Sequence, residues 1–474
     1  MTYLRATLGL ALASALAAAQ TAPRQAALES VERHAPRFKQ LSRQIWENPE
    51  LGWQEKQSSA LLRAELEKAG FRTRGFDSMP TAFVAEWGEG RPVIGILGEY
   101  DALPGLSQED VPERKPRVAG APGHGCGHNL FGTASALAAV AVKERMQALG
   151  LKGTIRFYGT PAEEGGGGKI FLIRAGAFRD ADVVLGWHPG DFNAADDNTY
   201  LANISARFRF RGTPAHAAGA PEAGRSALDA LELTTHAINL LREHVPQETR
   251  MHYIVASGGA AANIVPEFAE LSLIVRHPDL GELARIWERV KKCGEAGALA
   301  TETKFEVEIT SAYANFVLNP VLRDLLDRSL RSAGGVRYTD EERAFIEKVR
   351  ATLGGRPMPP IESAAEVLPP KTTLSSVSTD VGDVSWVVPV GHFTAATMAP
   401  GVPLHTWQST ACAGTEIGRK GMVVAARTLA LASLELLSSP DLVKQARAAF
   451  DRAMQGRAYR SLLPEDHVPG QTGH

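Results

Sequence analysis

Cys126 and His128 stand in the glycine-rich run Gly120-Ala-Pro-Gly-His-Gly-Cys-Gly-His-Asn129, and Glu163 and Glu164 stand side by side in Gly159-Thr-Pro-Ala-Glu-Glu-Gly-Gly-Gly-Gly168. A thiolate and an imidazole two residues apart on extended loop backbone point to the same side and can meet one cation. Adjacent carboxylates allow a division of labour in which one binds metal and the other moves protons. Together they predict a metal-dependent hydrolase. Alone, a free cysteine is more often a small buried apolar residue, and a Glu-Glu pair is usually solvated surface. What favours chemistry is placement: both groups lie where apolar sequence gives way to glycine, the residue used where backbone must approach a ligand closely.

Strands and a helix are expected to position them. Gly153-Thr-Ile-Arg-Phe-Tyr-Gly159 alternates like a strand before the carboxylates, Pro92-Val-Ile-Gly-Ile-Leu97 is an apolar run before the cysteine loop, and residues 130–146 follow it with a helical pattern. Polar residues at the carboxyl ends of strands are the usual site positions in open α/β sheets. A third such run, Ala181-Asp-Val-Val-Leu-Gly186, ends in Trp187-His188-Pro189-Gly190 and adds His188 as a metal-capable residue. His405, in Pro400-Gly-Val-Pro-Leu-His-Thr-Trp407, is the fourth candidate, far away in sequence, as expected of a fold closed by its C-terminal part.

The middle of the chain reads as strand 203–210, helix 224–244, strands 251–255 and 269–276, helix 282–296 and strand 304–309. This β-α-β-β-α-β order suggests a ferredoxin-like inserted α+β unit. The alternation Arg207-Phe-Arg-Phe-Arg211 gives its sheet one wet face. With 474 residues, two domains are expected. The 51 basic and 53 acidic residues leave no field for gathering nucleic acid or anionic membrane. A proline-rich connection, 354–370, follows a charged helix at 340–353. At the N-terminus one arginine, a short apolar core (6–18) and Ala17-Ala-Ala19 read as a secretory signal peptide without a lipid or membrane anchor, so export to the periplasm or outside is expected. Cys293 and Cys412 are expected to be free thiols.

The motifs Gly98-Glu-Tyr-Asp-Ala-Leu-Pro-Gly-Leu106, Gly125-Cys-Gly-His-Asn129, Pro161-Ala-Glu-Glu164, Gly186-Trp-His-Pro189, Gly212-Thr-Pro-Ala-His-Ala217 and Leu404-His-Thr-Trp407 occur in this order. As a set they resemble the two-metal amidohydrolases and metallopeptidases of the aminoacylase and carboxypeptidase G type, in the branch of p-aminobenzoyl-glutamate and auxin-conjugate hydrolases. The resemblance runs from about residue 35 to about residue 437. It implies a mixed central sheet flanked by helices as the catalytic domain (20–200 and 314–474, after the signal peptide 1–19), with a lid and dimerisation domain inserted at 201–313. It further implies Cys126 as a thiolate bridging two divalent ions, zinc or manganese, with His128, Glu164, His188 and His405 as the other ligands and Glu163 as general base. Asp101 would support an imidazole from behind. Where more distant relatives carry His-x-Asp, this chain reads Glu99-Tyr100-Asp101, which leaves open which ligand serves which ion. In similar enzymes the counterpart of His216 reaches across a homodimer as an oxyanion donor, and those of Asn263 and Arg276 hold the substrate carboxylate. Asp380 and Asp383 match the same branch, without an assigned role. The expected reaction is hydrolysis of the amide of an N-acyl or aryl-acyl amino acid. The alternatives are a periplasmic metallocarboxypeptidase or dipeptidase, or a subunit that needs a partner chain.

Overall fold

The computed structural model describes residues 2–355, 357–374 and 377–470, with backbone alone for 2–23 and Asn198. Two helices, α1 (Thr2–Glu47) and α2 (Lys56–Lys68), lead into β1 (Arg72–Phe76), β2 (Met79–Glu89) and β3 (Val93–Gly98). Then follow α3 (His128–Leu149), β4 (Gly153–Gly159), α4 (Gly168–Arg174), β5 (Val183–Leu185), β6 (His188–Gly190) and the short β7 (Ala194–Ala195) and β8 (Asn198–Thr199). The middle segment is β9 (Ala202–Arg211), α5 (Ala227–Leu241), β10 (Arg250–Ser257), β11 (Phe268–His277), α6 (Leu280–Thr301) and β12 (Lys304–Tyr313). The chain closes with α7 (Pro320–Ala333), α8 (Asp340–Ala351), β13 (Thr373–Leu374), α9 (Val381–Ser385), β14 (Val390–Gly391), β15 (Phe393–Ala396), α10 (Trp407–Ala413), α11 (Glu416–Ser438) and α12 (Pro440–Met454).

The central sheet has the order β1-β2-β4-β3-β5-β14. Strands β4, β3, β5 and the edge strand β14 run parallel, while β1 and β2 pair antiparallel at the other side. β3 and β4 are buried along their whole length, as parallel strands covered on both faces must be. α3 and α11 pack against each other and against β3. α11 is apolar and long enough to cross a membrane by composition, yet 78% of its most apolar window is buried in this protein, so it serves as a core helix. The mixed sheet flanked by helices is the expected architecture.

The middle segment forms its own antiparallel sheet, β10-β11-β9-β12, in β-α-β-β-α-β order, with α5 and α6 packed on it. Phe208 and Phe210 are fully buried under these helices. On the opposite face Arg209 pairs with Glu270 and Glu308, and Arg211 with Glu306. The expected cleavage point after Ala19 falls within α1, in the part described by backbone alone. Cys293 and Cys412 are unbridged.

Candidate active site

The parallel strands end at a common edge, and each is followed by a polar residue. Gly98 gives way to Glu99, Tyr100 and Asp101, all at most 1% exposed. β4 gives way to the turn carrying Glu163 and Glu164, and β5 to Trp187 and His188. The Cys126–His128 segment is not extended. Gly127 sits at φ 81°, ψ 22° as the N-cap of α3, so a left-handed turn, instead of the period-two geometry, brings the thiol and the imidazole together. A Cβ at Gly127 would lie 2.8 Å from Met398 Cε and 2.9 Å from Pro189 Cβ, so the turn is pressed against the loop bearing His188. His405 also takes a left-handed conformation, φ 60°, with its amide bonded to the Gly125 carbonyl. Such strain persists only where the surroundings over-determine it.

Two triplets of donor atoms result, each with all members within 4.8 Å: Cys126, His128 and His188, and Cys126, Glu164 and His405. Cys126 belongs to both. Its Sγ lies 3.4 Å from His188 Nε2 and 3.4 Å from His405 Nε2, and His405 Nε2 lies 3.3 Å from Glu164 Oε1. The outer ring atoms are already committed: His128 Nδ1 bonds Asp101 Oδ1 at 2.8 Å, and His188 Nδ1 bonds the Pro189 carbonyl at 2.7 Å. Each Nδ1–H donates, so each Nε2 turns a lone pair inward. This is the tautomer a metal requires, fixed by the partner on the far nitrogen. His128 Nε2 is buried, 3.2 Å from Glu99 Oε2 but without a formed hydrogen bond, and a soft thiolate with imidazoles and a carboxylate suits zinc-like divalent ions. The residues therefore fit such ions.

A third group, Glu99, His128 and Glu163, also converges within 4.8 Å. It already contains a cation. Lys169, fully buried, places its Nζ 2.7 Å from Glu99 Oε1 and 2.6 Å from Asp380 Oδ1, and a divalent ion beside that ammonium would be repelled.

Burial pushes the Glu163 carboxyl well above its ordinary range, and the negative neighbours Glu99, Glu164 and Asp380 add to it. Glu164 behaves oppositely: burial opposes its charge, but the hydrogen bond from His405 and the nearby His128 bring it down to about 2. Two adjacent carboxyls with affinities for protons driven apart are suited to separate acid–base and ligand roles. Burial, with Glu164 nearby, raises the Cys126 thiol, and burial, with His128 nearby, lowers His188 to about 4.

A cavity of about 750 Å³ opens over Cys126, Glu163, Glu164, His188 and His405 and extends to Asp191, Phe192, Asp196, Tyr200 and His392. Arg276 reaches it indirectly, donating from Nη1 to Ser378 Oγ at 3.1 Å, and Ser378 lines the cavity. His216 and Asn263 do not line it; they meet on an exposed turn, where the Ala217 amide donates to the Asn263 carbonyl. Asp101 does two tasks, since its Oδ2 also accepts the Glu164 amide at 2.8 Å. Asp380 accepts from the Lys169 side chain and amide, and Asp383 accepts the Ala314 amide and the Tyr459 hydroxyl, so both brace the surrounding elements. Sequence reading missed Lys169 as a buried counter-ion; its one signal was a lysine opening the apolar stretch Ile170-Phe-Leu-Ile173. It also missed the pair Asp196–His392, 2.6 Å apart, which had no local signal.

A family model described as peptidase family M20/M25/M40 matches residues 95–361. The chain is 39% identical over 468 residues to one of the subunits of p-aminobenzoyl-glutamate hydrolase from Escherichia coli, covering 93% of this chain and 97% of the relative. It is 31% identical over 448 residues to the Xaa-Arg dipeptidase of Mus musculus, covering 90% and 92%. The fold superposes on the crystal structure of a dinuclear metal binding peptidase of Bacillus subtilis with a TM-score of 0.61, at 18% identity, covering 86% of this chain and 99% of that one.

Proposed function

Since the chain belongs to the peptidase family M20/M25/M40 and is a hydrolase of it, we propose that it cleaves the amide bond of N-acyl or aryl-acyl amino acids of the p-aminobenzoyl-glutamate kind. The observation that carries this reading is the pair of donor triplets sharing Cys126, with Glu163 beside them. Cys126, His128 and His188 would hold one ion, and Cys126, Glu164 and His405 the other, zinc or manganese. When bound, two such ions supply a water of lowered pKa and polarise the scissile carbonyl. Glu163 takes a proton at its carboxylate and later delivers it to the leaving nitrogen, which an amine needs in order to depart. Its burial among carboxylates suits that return, because a carboxyl with raised proton affinity holds the proton between the two steps.

His216 Nδ1 accepts the amides of Ala218 and Gly219 at 3.2 and 3.0 Å, so the neutral ring carries its proton on Nε2, as a donor to a developing oxyanion must. Exposed and away from its own cavity, it serves the neighbouring chain of a homodimer. Arg276 and Asn263 bind the substrate carboxylate, a task suited to the planar guanidinium fork. Residues 1–19 direct export, so that the mature chain begins at Gln20.

A second substrate class has its own support. Among the described residues the cavity lining contains Asp191 and Asp196 but no lysine or arginine, which favours a cationic side chain, and one relative is named an Xaa-Arg dipeptidase. The purified chain, supplied with zinc or manganese, is incubated with p-aminobenzoyl-glutamate, N-acetyl amino acids and Xaa-Arg dipeptides, and free amine is measured. Release from the first two supports the proposal, and release from the dipeptide alone supports the second class. Product only after adding a second polypeptide identifies a partner-dependent subunit.

A further inference from the structure

We propose that Glu55 is a positioning residue for the reaction, holding the turn that carries Glu163. The inference rests on the reading of Glu163 as general base. Glu55 stands at the N-cap of α2 but caps nothing there. Its side chain is fully buried and turns to the opposite segment, where Oε1 accepts the Ala162 amide at 2.7 Å. A buried carboxyl is costly and a neutral residue would serve packing better, so its place against the Ala162 amide, with the Thr81 hydroxyl beside it, calls for a reason.

The reason lies in Ala162, which holds φ 54°, a left-handed conformation that is unfavourable for alanine and has to be held from outside. The room for it comes from the same N-terminal loop: a Cβ at Gly52 would stand 3.0 Å from Ala162 Cβ. Beyond Glu163, the Glu164 amide is bonded to Asp101 Oδ2 at 2.8 Å. Glu163 is therefore held on both sides through backbone amides, by Glu55 before it and by Asp101 after it. The two restraints hold different groups. Asp101 also fixes His128, so it governs the ligands, whereas Glu55 touches no ligand and governs where the base points.

The test uses the metal-loaded full chain with p-aminobenzoyl-glutamate as probe. Glu55→Met fills the volume without an acceptor, and Glu55→Gln keeps an oxygen that can accept the same amide. Glu55→Met is expected to lower kcat by roughly 10- to 100-fold with KM changed by less than about threefold, since a small displacement of a reacting group costs that much. Metal content by elemental analysis and the visible spectrum of the cobalt(II)-substituted chain are expected to stay as in the parent. Glu55→Gln is expected to restore kcat to near the parent value. In a Glu163→Gln background, Glu55→Met is expected to have no further effect, because its route of action is already gone. Unchanged kcat in Glu55→Met, losses that multiply in the double variant, or a Glu55→Gln chain as impaired as Glu55→Met would each overturn the proposal. Glu55→Asn, one methylene too short to reach the amide, is read the same way if Glu55→Met does not fold. Full turnover in Glu163→Gln alone would instead sink the reading of the base, so the two failures are distinct.

Discussion

Gly127→Ala adds one methyl group at a residue that has no chemistry of its own, and it should nevertheless disable the metal site. Gly127 sits at φ 81°, so alanine there incurs about 1 kcal/mol for the left-handed backbone. The new Cβ also meets Met398 Cε at 2.8 Å and Pro189 Cβ at 2.9 Å. The methionine can swing aside; the proline ring, next to His188, cannot. Overpacking of this kind costs about 1 to 3 kcal/mol, giving about 2 to 4 kcal/mol in all. If the chain relieves the clash by moving the start of α3 away from β6, the cost appears as weaker metal binding, tenfold for about every 1.4 kcal/mol, hence at least about 30-fold. If it does not move, the same sum appears as lost stability. Denaturant unfolding with and without chelator, alongside metal titration, measures both parts. Adding Met398→Ala should recover little, because the proline contact remains. A Gly127→Ala chain with parent stability and parent metal affinity would refute the claim that this turn sets the spacing of the two ligand loops.

Cys126→Ala should lose at least one of two divalent ions per chain, since its sulfur belongs to both donor triplets; elemental analysis showing two ions retained would remove it from the site. Mixing inactive His216→Ala chains with inactive Glu163→Gln chains, after subunit exchange has been verified, should restore activity toward half of normal per dimer, because one site then carries both defects and the other none; a mixture that stays dead rules out donation in trans. Glu55 offers a readout against pH. Burial, with Asp101 nearby, raises its carboxyl to about 8 against an ordinary value of 4.5, so its proton stabilises the folded chain fully at low pH and that contribution is lost as pH rises through about 8. Glu55→Gln cannot ionise, and its unfolding free energy relative to the parent should improve by a few kcal/mol between about pH 5 and about pH 9. Parallel profiles would show that Glu55 titrates normally.

The strands were legible where composition matched burial. Gly153-Thr-Ile-Arg-Phe-Tyr-Gly159 alternates like a strand and forms one with the same bounds, paired antiparallel with β2 and parallel with β3. Helix starts were less visible. A helix was expected from residue 224, but Ser226 accepts the Asp229 amide and starts α5 at Ala227. Cys126, His128, Glu163, Glu164, His188 and His405 could be proposed as candidates because glycine-flanked polar residues after strands form a local pattern, and the fold does gather them. The pair Asp196–His392 could not be, since its partners meet only across the fold, and Lys169 left only the faint mark of a lysine opening an apolar stretch. The geometry of Cys126-Gly-His128 was misjudged for a related reason: a single glycine at positive φ replaces a period-two rule with a turn.

The order of the central sheet has a consequence for how the protein comes into being. β14 (Val390–Gly391) is the last strand to join, at the edge beside β5, and His405 lies beyond it. Every ligand candidate from Cys126 to His188 is made early, yet the second triplet stays incomplete until the ribosome has passed residue 405. A chain that ends anywhere in the first 404 residues lacks that triplet, so the second half of the site is closed by the far end of the polypeptide.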